Sequence, residues 1–217
     1  MTSNSYTSTF SSPNVLIGIS GIIGVGKSTL TESLGKILSW DVVKEPVESN
    51  EYLCKFYEDM EKYAFPMQVY LLNNRFRQHQ QMVWSGKSMV QDRTIYEDVI
   101  FAKMLHDGGL MEDLDFNTYV QLFNNMTNFL HRPDLIIYLD VEPLEALRRV
   151  RERSRSCETK MSLEYLTELR NGYEEWLKDV RDRIPVLKLD WDTYMDPEKV
   201  ASLIKSALAA KRKGLTL

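Results

Sequence analysis

The chain is poor in cysteine. Only Cys54 and Cys157 occur among 217 residues, far apart and in neither a C-x-x-C pair nor a zinc-ligand spacing. Nothing in the sequence suggests a disulfide-stapled scaffold or a structural zinc, and a reducing, cytoplasmic home is expected, the host cytoplasm if the source is viral. Long hydrophobic runs are also missing. No stretch approaches the roughly 20 apolar residues that cross a membrane, so no membrane partner is expected. Residues 1–14 are rich in Ser, Thr and Asn and hold no Lys or Arg. They lack the basic start and apolar stretch of a secretory signal and the arginines of a mitochondrial one. They read as a disordered tail ahead of a single domain at 15–217. Positive charge is not in excess either. The net charge of -4 argues against a nucleic-acid partner, which wants a basic face. Internal repeats are absent. What remains is ordinary globular material, with 43% hydrophobic residues to build a core.

Within it stands Gly21-Ile22-Ile23-Gly24-Val25-Gly26-Lys27-Ser28, a G-x-x-x-x-G-K-[ST] pattern. An apolar run, Val15 to Ile19, precedes it, and an amphipathic segment opening at Thr29 follows. Gly21, Gly24 and Gly26 let successive backbone N–H groups turn inward and ring a phosphate. A helix starting near Lys27 adds its positive dipole end. Lys27 brings a charge to the terminal phosphates, and the Ser28 hydroxyl can ligate Mg²⁺. The loop implies bound ATP and leaves the phosphate acceptor open.

A short strand then ends at Pro46, which places Glu45 at the carboxyl edge where α/β sheets bind ligands. Val47 follows on the same edge. The long helical region from Asn50 to Trp84, with a break expected at Pro66, sets Tyr57, Gln68 and Arg75 among aromatic and aliphatic residues. Gln68 and Arg75 share a helix face with Leu71 and Leu72. That suits a pocket hydrogen-bonding a flat polar ring, or a partly exposed helix face. Two apolar runs end in aspartate, Met89 to Asp92 and Leu135 to Asp140. Either carboxylate is a Mg²⁺-ligand candidate, and pattern alone favours Asp140. The run Arg148-Arg149-Val150-Arg151-Glu152-Arg153-Ser154-Arg155 is basic on two helix faces. It fits a lid over phosphates or a solvated face. About five strands, each followed by helix, predict a parallel sheet with helices on both faces, an α/β fold of the P-loop NTPase type.

Over residues 15–195 these motifs, in this order, resemble the deoxyribonucleoside kinases, a family that includes deoxycytidine, deoxyguanosine and mitochondrial-type thymidine kinases. The bacterial and viral deoxyadenosine/deoxyguanosine kinase branch is the most similar, its Asp-Arg-Ser matched by Asp92-Arg93-Thr94. The resemblance implies that Glu45 takes the proton of the 5′-hydroxyl, that Arg93 stabilises the reacting groups, and that Asp92, not Asp140, holds Mg²⁺ with Ser28. It makes Gln68 a ligand of the base and assigns the 3′-hydroxyl to Tyr57 and Glu158. Arg149, Arg153 and Arg155 become the lid over the triphosphate of ATP. Arg75 matches an arginine that pairs with a carboxylate beside the base, here Asp98 or, with a one-residue gap, Glu97; Asp98 is favoured. Ile22 and Thr94 depart from the family's usual Asn and Ser. A homodimer is implied, through helices around 76–84 and 95–110. Arg75 with a carboxylate suits deoxyadenosine, deoxyguanosine or deoxycytidine over thymidine. The alternatives are a thymidine or broad-specificity kinase, a nucleoside-monophosphate kinase, and a non-catalytic P-loop module.

Overall fold

The structure, a computed structural model, describes residues 14–45, 50–158 and 161–212. Val47 and all but Asn14 of the expected tail lie outside the described residues. Five strands, β1 (Leu16–Ser20), β2 (Asp41–Val43), β3 (Met89–Asp92), β4 (Leu135–Asp140) and β5 (Val186–Asp190), are joined in the order β2-β3-β1-β4-β5. Every pairing is parallel, with Ile17 opposite both Val90 and Leu135. The central strands are buried almost throughout, as a parallel sheet covered on both faces requires. Helix α1 (Lys27–Leu38) packs on α8 (Pro197–Arg212). The second layer comprises α3 (Met60–Ser85), α4 (Asp98–Asp107), α5 (Asp113–Thr127) and α7 (Leu163–Val180), packed against one another. There the ring of Tyr173 on α7 lies 5.5 Å from that of Tyr138 on β4. The expected α/β architecture is what the structure has.

The sheet order positions the site. β3 lies between β1 and β2, so the phosphate loop, the Asp92-Arg93 pair and Glu45 leave the same sheet edge side by side. Two short elements complete the walls: α2 (Leu53–Glu58) and α6 (Pro143–Arg153), the latter opened by Pro143 at a position where a missing N–H costs nothing.

One boundary differs from expectation. The helical region does not break at Pro66. It breaks at Asp59, whose backbone leaves the helical range and whose carboxylate caps α3 by accepting from the Lys62 N–H at 3.2 Å. Pro66 stays inside α3. It forfeits one backbone hydrogen bond, but Ala64, Met67, Gln68 and Leu72 bury the same stretch, and tertiary packing overrides local propensity.

Candidate active site

The phosphate loop folds as its glycines predict. Gly24 and Gly26 have φ of 90° and 95°, left-handed values at little cost only to glycine. A Cβ at Gly24 would sit 2.5 Å from the Ala146 carbonyl oxygen, so α6 can approach the loop only because that position is bare. Lys27 is buried and donates to the Gly21 and Ile22 carbonyls at 3.0 and 2.9 Å. Burial, reinforced by Arg93, brings its pKa down to about 7 against the pull of Asp92, Glu45 and Glu97.

The two candidate aspartates are separated by their partners. Asp92 receives the Ser28 hydroxyl on Oδ2 at 2.5 Å, while its buried Oδ1 has no partner among the described residues. Burial and the nearby Glu45 raise its pKa above the ordinary value. A hard-oxygen pair with one free lone-pair edge fits Mg²⁺, which takes few protein ligands and completes its shell with phosphate and water. Asp140 points elsewhere, tied to Arg170 at 3.1 Å and Lys188 at 2.9 Å. Asp140, which pattern alone favours, is thus held in ion pairs away from Ser28, and its apolar strand is the better one because β4 is buried on both sides.

Arg75 is nearly inaccessible, and its fork joins two carboxylates: Nη1 donates to Asp98 and Nη2 to Glu45. Asp98, not Glu97, is its partner on α4. Glu97 belongs instead to Arg93, at 3.2 Å. Burial opposes ionisation of Glu45, but Arg93, Arg75 and Lys27 outweigh it and hold the carboxyl down at about 2. Burial lifts Asp98 to about 7 despite Arg75. Gln68 is buried beside them with its Oε1 unpartnered among the described residues. These groups face a cavity of about 330 Å³, the size of a small-ligand site. Glu45, Tyr57, Gln68, Arg75 and Arg93 line one part of it, and Gly24, Gly26, Lys27, Ser28 and Thr29 another. Gly21 contributes its carbonyl behind them, and Asp98 stands behind Arg75.

The basic run divides by face. Arg149, Arg153, Arg155 and Glu158 line the cavity, whereas Arg148 is exposed and bridged to Glu145 and Glu152 on its own helix. Arg149 is not a free arm: it donates to the Trp191 and Asp192 carbonyls at 3.0 and 2.7 Å and stacks on the ring of Tyr194 at 4.2 Å. Arg153 and Arg155 both pair with Glu158, the latter at 3.4 Å. Glu158 in turn adds to burial and Tyr165 in raising the pKa of Tyr57, so the two residues expected at one hydroxyl are neighbours.

Several site residues are not legible in the sequence. Tyr194 leaves a loop after β5 with no motif around it. Phe101 carries the Arg93 guanidinium on its ring face at 4.7 Å and reads from sequence as core. Cys54 and Cys157, distant in the chain, meet with Cα atoms 4.8 Å apart and are joined as a disulfide between α2 and the turn carrying Glu158. Their spacing gives no sign of it.

A family model described as deoxynucleoside kinase matches residues 17–210. Deoxyadenosine kinase of Dictyostelium discoideum is 51% identical over 196 residues, covering 90% of this chain and 80% of that protein. A deoxyadenosine/deoxycytidine kinase of Bacillus subtilis is 40% identical, covering 88% of this chain and 90% of that one. Among solved structures, a deoxyadenosine kinase from M. mycoides with the products dCMP and dCDP bound superposes with a TM-score of 0.81 at 35% identity, over 90% of this chain and all of that one. With dATP bound, the same enzyme gives 0.79 at 34% identity. No helix among the described residues is long and apolar enough to cross a membrane. The phosphate loop, the carboxylate-flanked arginines and these likenesses agree: the chain belongs to the deoxynucleoside kinase family and is a kinase that uses ATP.

Proposed function

We propose that this enzyme transfers the γ-phosphoryl of ATP to the 5′-hydroxyl of deoxyadenosine, deoxyguanosine or deoxycytidine in preference to thymidine. The observation that carries it is Arg75, buried between Glu45 and Asp98 beside Gln68, whose buried Oε1 has no partner among the described residues. A guanidinium, a carboxyl and an amide on one side of a cavity offer both donors and acceptors to an amino-bearing or purine ring. A base of the wrong pattern would leave buried groups unpaired, which is costly. The relatives named for deoxyadenosine, deoxycytidine and deoxyguanosine support the same preference.

Phosphoryl transfer asks mainly for positioning and charge neutralisation. The loop N–H groups and Lys27 would hold the triphosphate, with Arg153 and Arg155 closing over it and Arg149 fixing the lid's base. Asp92 and Ser28 would hold Mg²⁺, which supplies neutralisation of the phosphate oxygens when bound. Glu45 would receive the 5′-hydroxyl hydrogen bond, and its proton as the bond to phosphorus forms. A carboxylate held near 2 is a weak base, and a loose transition state tolerates that because the hydroxyl need not ionise early. Tyr57 and Glu158 would take the 3′-hydroxyl.

A nucleoside-monophosphate kinase needs uncompensated cations for its acceptor's phosphate. Here Arg75 and Arg93 already face Glu45, Asp98 and Glu97. The homodimer implied by the family would use the end of α3, where Trp84 is 77% exposed, and sedimentation would reveal it. A cytoplasmic location would go with ATP-dependent salvage, and there the Cys54–Cys157 link would be exposed to reduction. The decisive assay is a side-by-side panel of the four deoxynucleosides and their monophosphates with ATP and Mg²⁺. Thymidine as the best substrate sinks the base assignment, and phosphorylation of monophosphates alone sinks the acceptor assignment.

A further inference from the structure

Glu97 is fully buried and does not touch the cavity, yet it gathers five donors, the longest bond coming from the Thr94 hydroxyl at 3.5 Å. Its Oε1 accepts from the Ser20 hydroxyl at 2.7 Å and the Thr94 N–H at 2.8 Å. Its Oε2 accepts from Arg93 Nη1 at 3.2 Å and from the Tyr173 hydroxyl. The same Arg93 nitrogen also donates to the Tyr173 oxygen. Glu97, Tyr173 and Arg93 thus close a triangle behind the site. The other edges of the guanidinium look forward, with Nε 3.3 Å from Glu45 and Nη2 3.3 Å from the Gly21 carbonyl. The ring of Phe101 underlies it.

Arg93 needs such support. Its φ is 64°, a left-handed conformation unfavourable to any residue with a Cβ. Such residues persist where the surroundings over-determine them. The backbone contributes one tie, Arg93 N–H to the Ile19 carbonyl at 3.0 Å. Behind the guanidinium, the side-chain ties come from Glu97 and Tyr173. Ser20 ends β1 immediately before the phosphate loop, so one carboxylate registers both Arg93 and the start of that loop.

We propose that Glu97 and Tyr173 are positioning residues that set the orientation of the Arg93 guanidinium toward Glu45 and the phosphate loop; this rests on Arg93 acting at the reacting centre, as proposed above. They act from α7 and the turn before α4, through Arg93, and touch no substrate. The Tyr173 hydroxyl is the separable part. Its ring packs edge-on to Phe101 and Trp176, and phenylalanine keeps that packing.

The test is a double-mutant cycle of Tyr173→Phe and Arg93→Lys, with kcat normalised to the number of nucleoside-binding sites measured by calorimetry. Tyr173→Phe is expected to lower kcat about tenfold or more, because misplacement by an ångström costs up to about 100-fold. KM for nucleoside and for ATP should stay within about twofold, with binding sites at full stoichiometry. On the Arg93→Lys background, where no fork remains to aim, the same substitution should change kcat by less than about twofold. The proposal is overturned if Tyr173→Phe leaves kcat unchanged, if its loss merely follows lost binding sites, or if the loss is as large without Arg93. A separate outcome reports on the underlying assignment: an Arg93→Lys enzyme with full kcat removes Arg93 from the reacting centre. Glu97→Gln gives a second arm, expected to lower kcat with the same insensitivity on the Arg93→Lys background.

Discussion

Replacing Glu45 with glutamine tests the centre of the site, because one atom changes and three cations feel it. The carboxylate accepts from Arg75 and lies 3.3 Å from Arg93 Nε. Its pKa falls from an ordinary 4.5 to about 2, with burial opposing and the two arginines and Lys27 prevailing. That drop is worth about 3 kcal/mol of native-state stability at neutral pH. The amide still offers an oxygen to Arg75, so roughly 1–3 kcal/mol should be lost, a fall of about 3–10 °C in Tm for a chain of this size. The sign fixes a pH signature. A depressed carboxyl stabilises fully above about 4.5 and loses that contribution as pH falls toward 2, so urea unfolding curves of the two proteins should differ at pH 7 and converge in acid. Catalysis should suffer more than binding. Loss of a general base typically costs about 10²–10⁴-fold in rate, whereas Arg75 remains anchored by Asp98, so nucleoside affinity should change by less than about fivefold. Steady-state kinetics and calorimetry on the same preparation decide it. A variant with full kcat refutes the role of Glu45, and a variant that loses affinity as steeply as rate makes it a binding residue instead.

Three further outcomes follow from the same geometry. Lys27, brought down to about 7 mainly by burial and Arg93, is half-neutral in the free enzyme near physiological pH. The kcat/KM for ATP should therefore decline as pH rises through 7, while kcat at saturating ATP stays flat, since bound phosphate favours the ammonium; a kcat/KM for ATP that is level to pH 9 contradicts this. Asp98→Asn should lower kcat/KM for the preferred nucleoside about 100-fold or more by replacing one of the two carboxyl groups that hold Arg75, and should narrow the margin over thymidine; a uniform small loss across the four-nucleoside panel argues against base readout. Thiol titration of unreduced protein in denaturant should find no free thiol and, after reduction, two, because Cys54 and Cys157 are joined; two thiols before reduction exclude the link.

How far the sequence shows the site depends on whether a residue's task is set by its neighbours along the chain or across the fold. Gly24 and Gly26 need φ near +90°, and local pattern announces that. Glu45 and Asp92 sit at strand ends, so strand periodicity places them on the functional edge, but it cannot rank Asp92 over Asp140. That choice is made by β1 lying beside β3, which brings Asp92 onto Ser28, and by Arg170 and Lys188 occupying Asp140. The same applies to the partner of Arg75. Glu97 and Asp98 are adjacent in sequence and point about 100° apart if helical. The structure puts a 3-10 turn before Asp98, and the two carboxylates go to different arginines. Two guanidiniums thus face three carboxyl groups, Glu45, Asp98 and Glu97, and neither is left uncompensated before any substrate arrives. A neutral nucleoside can enter such a site without adding an unpaired charge, whereas a nucleoside monophosphate would bring two negative charges to arginines that are already neutralised.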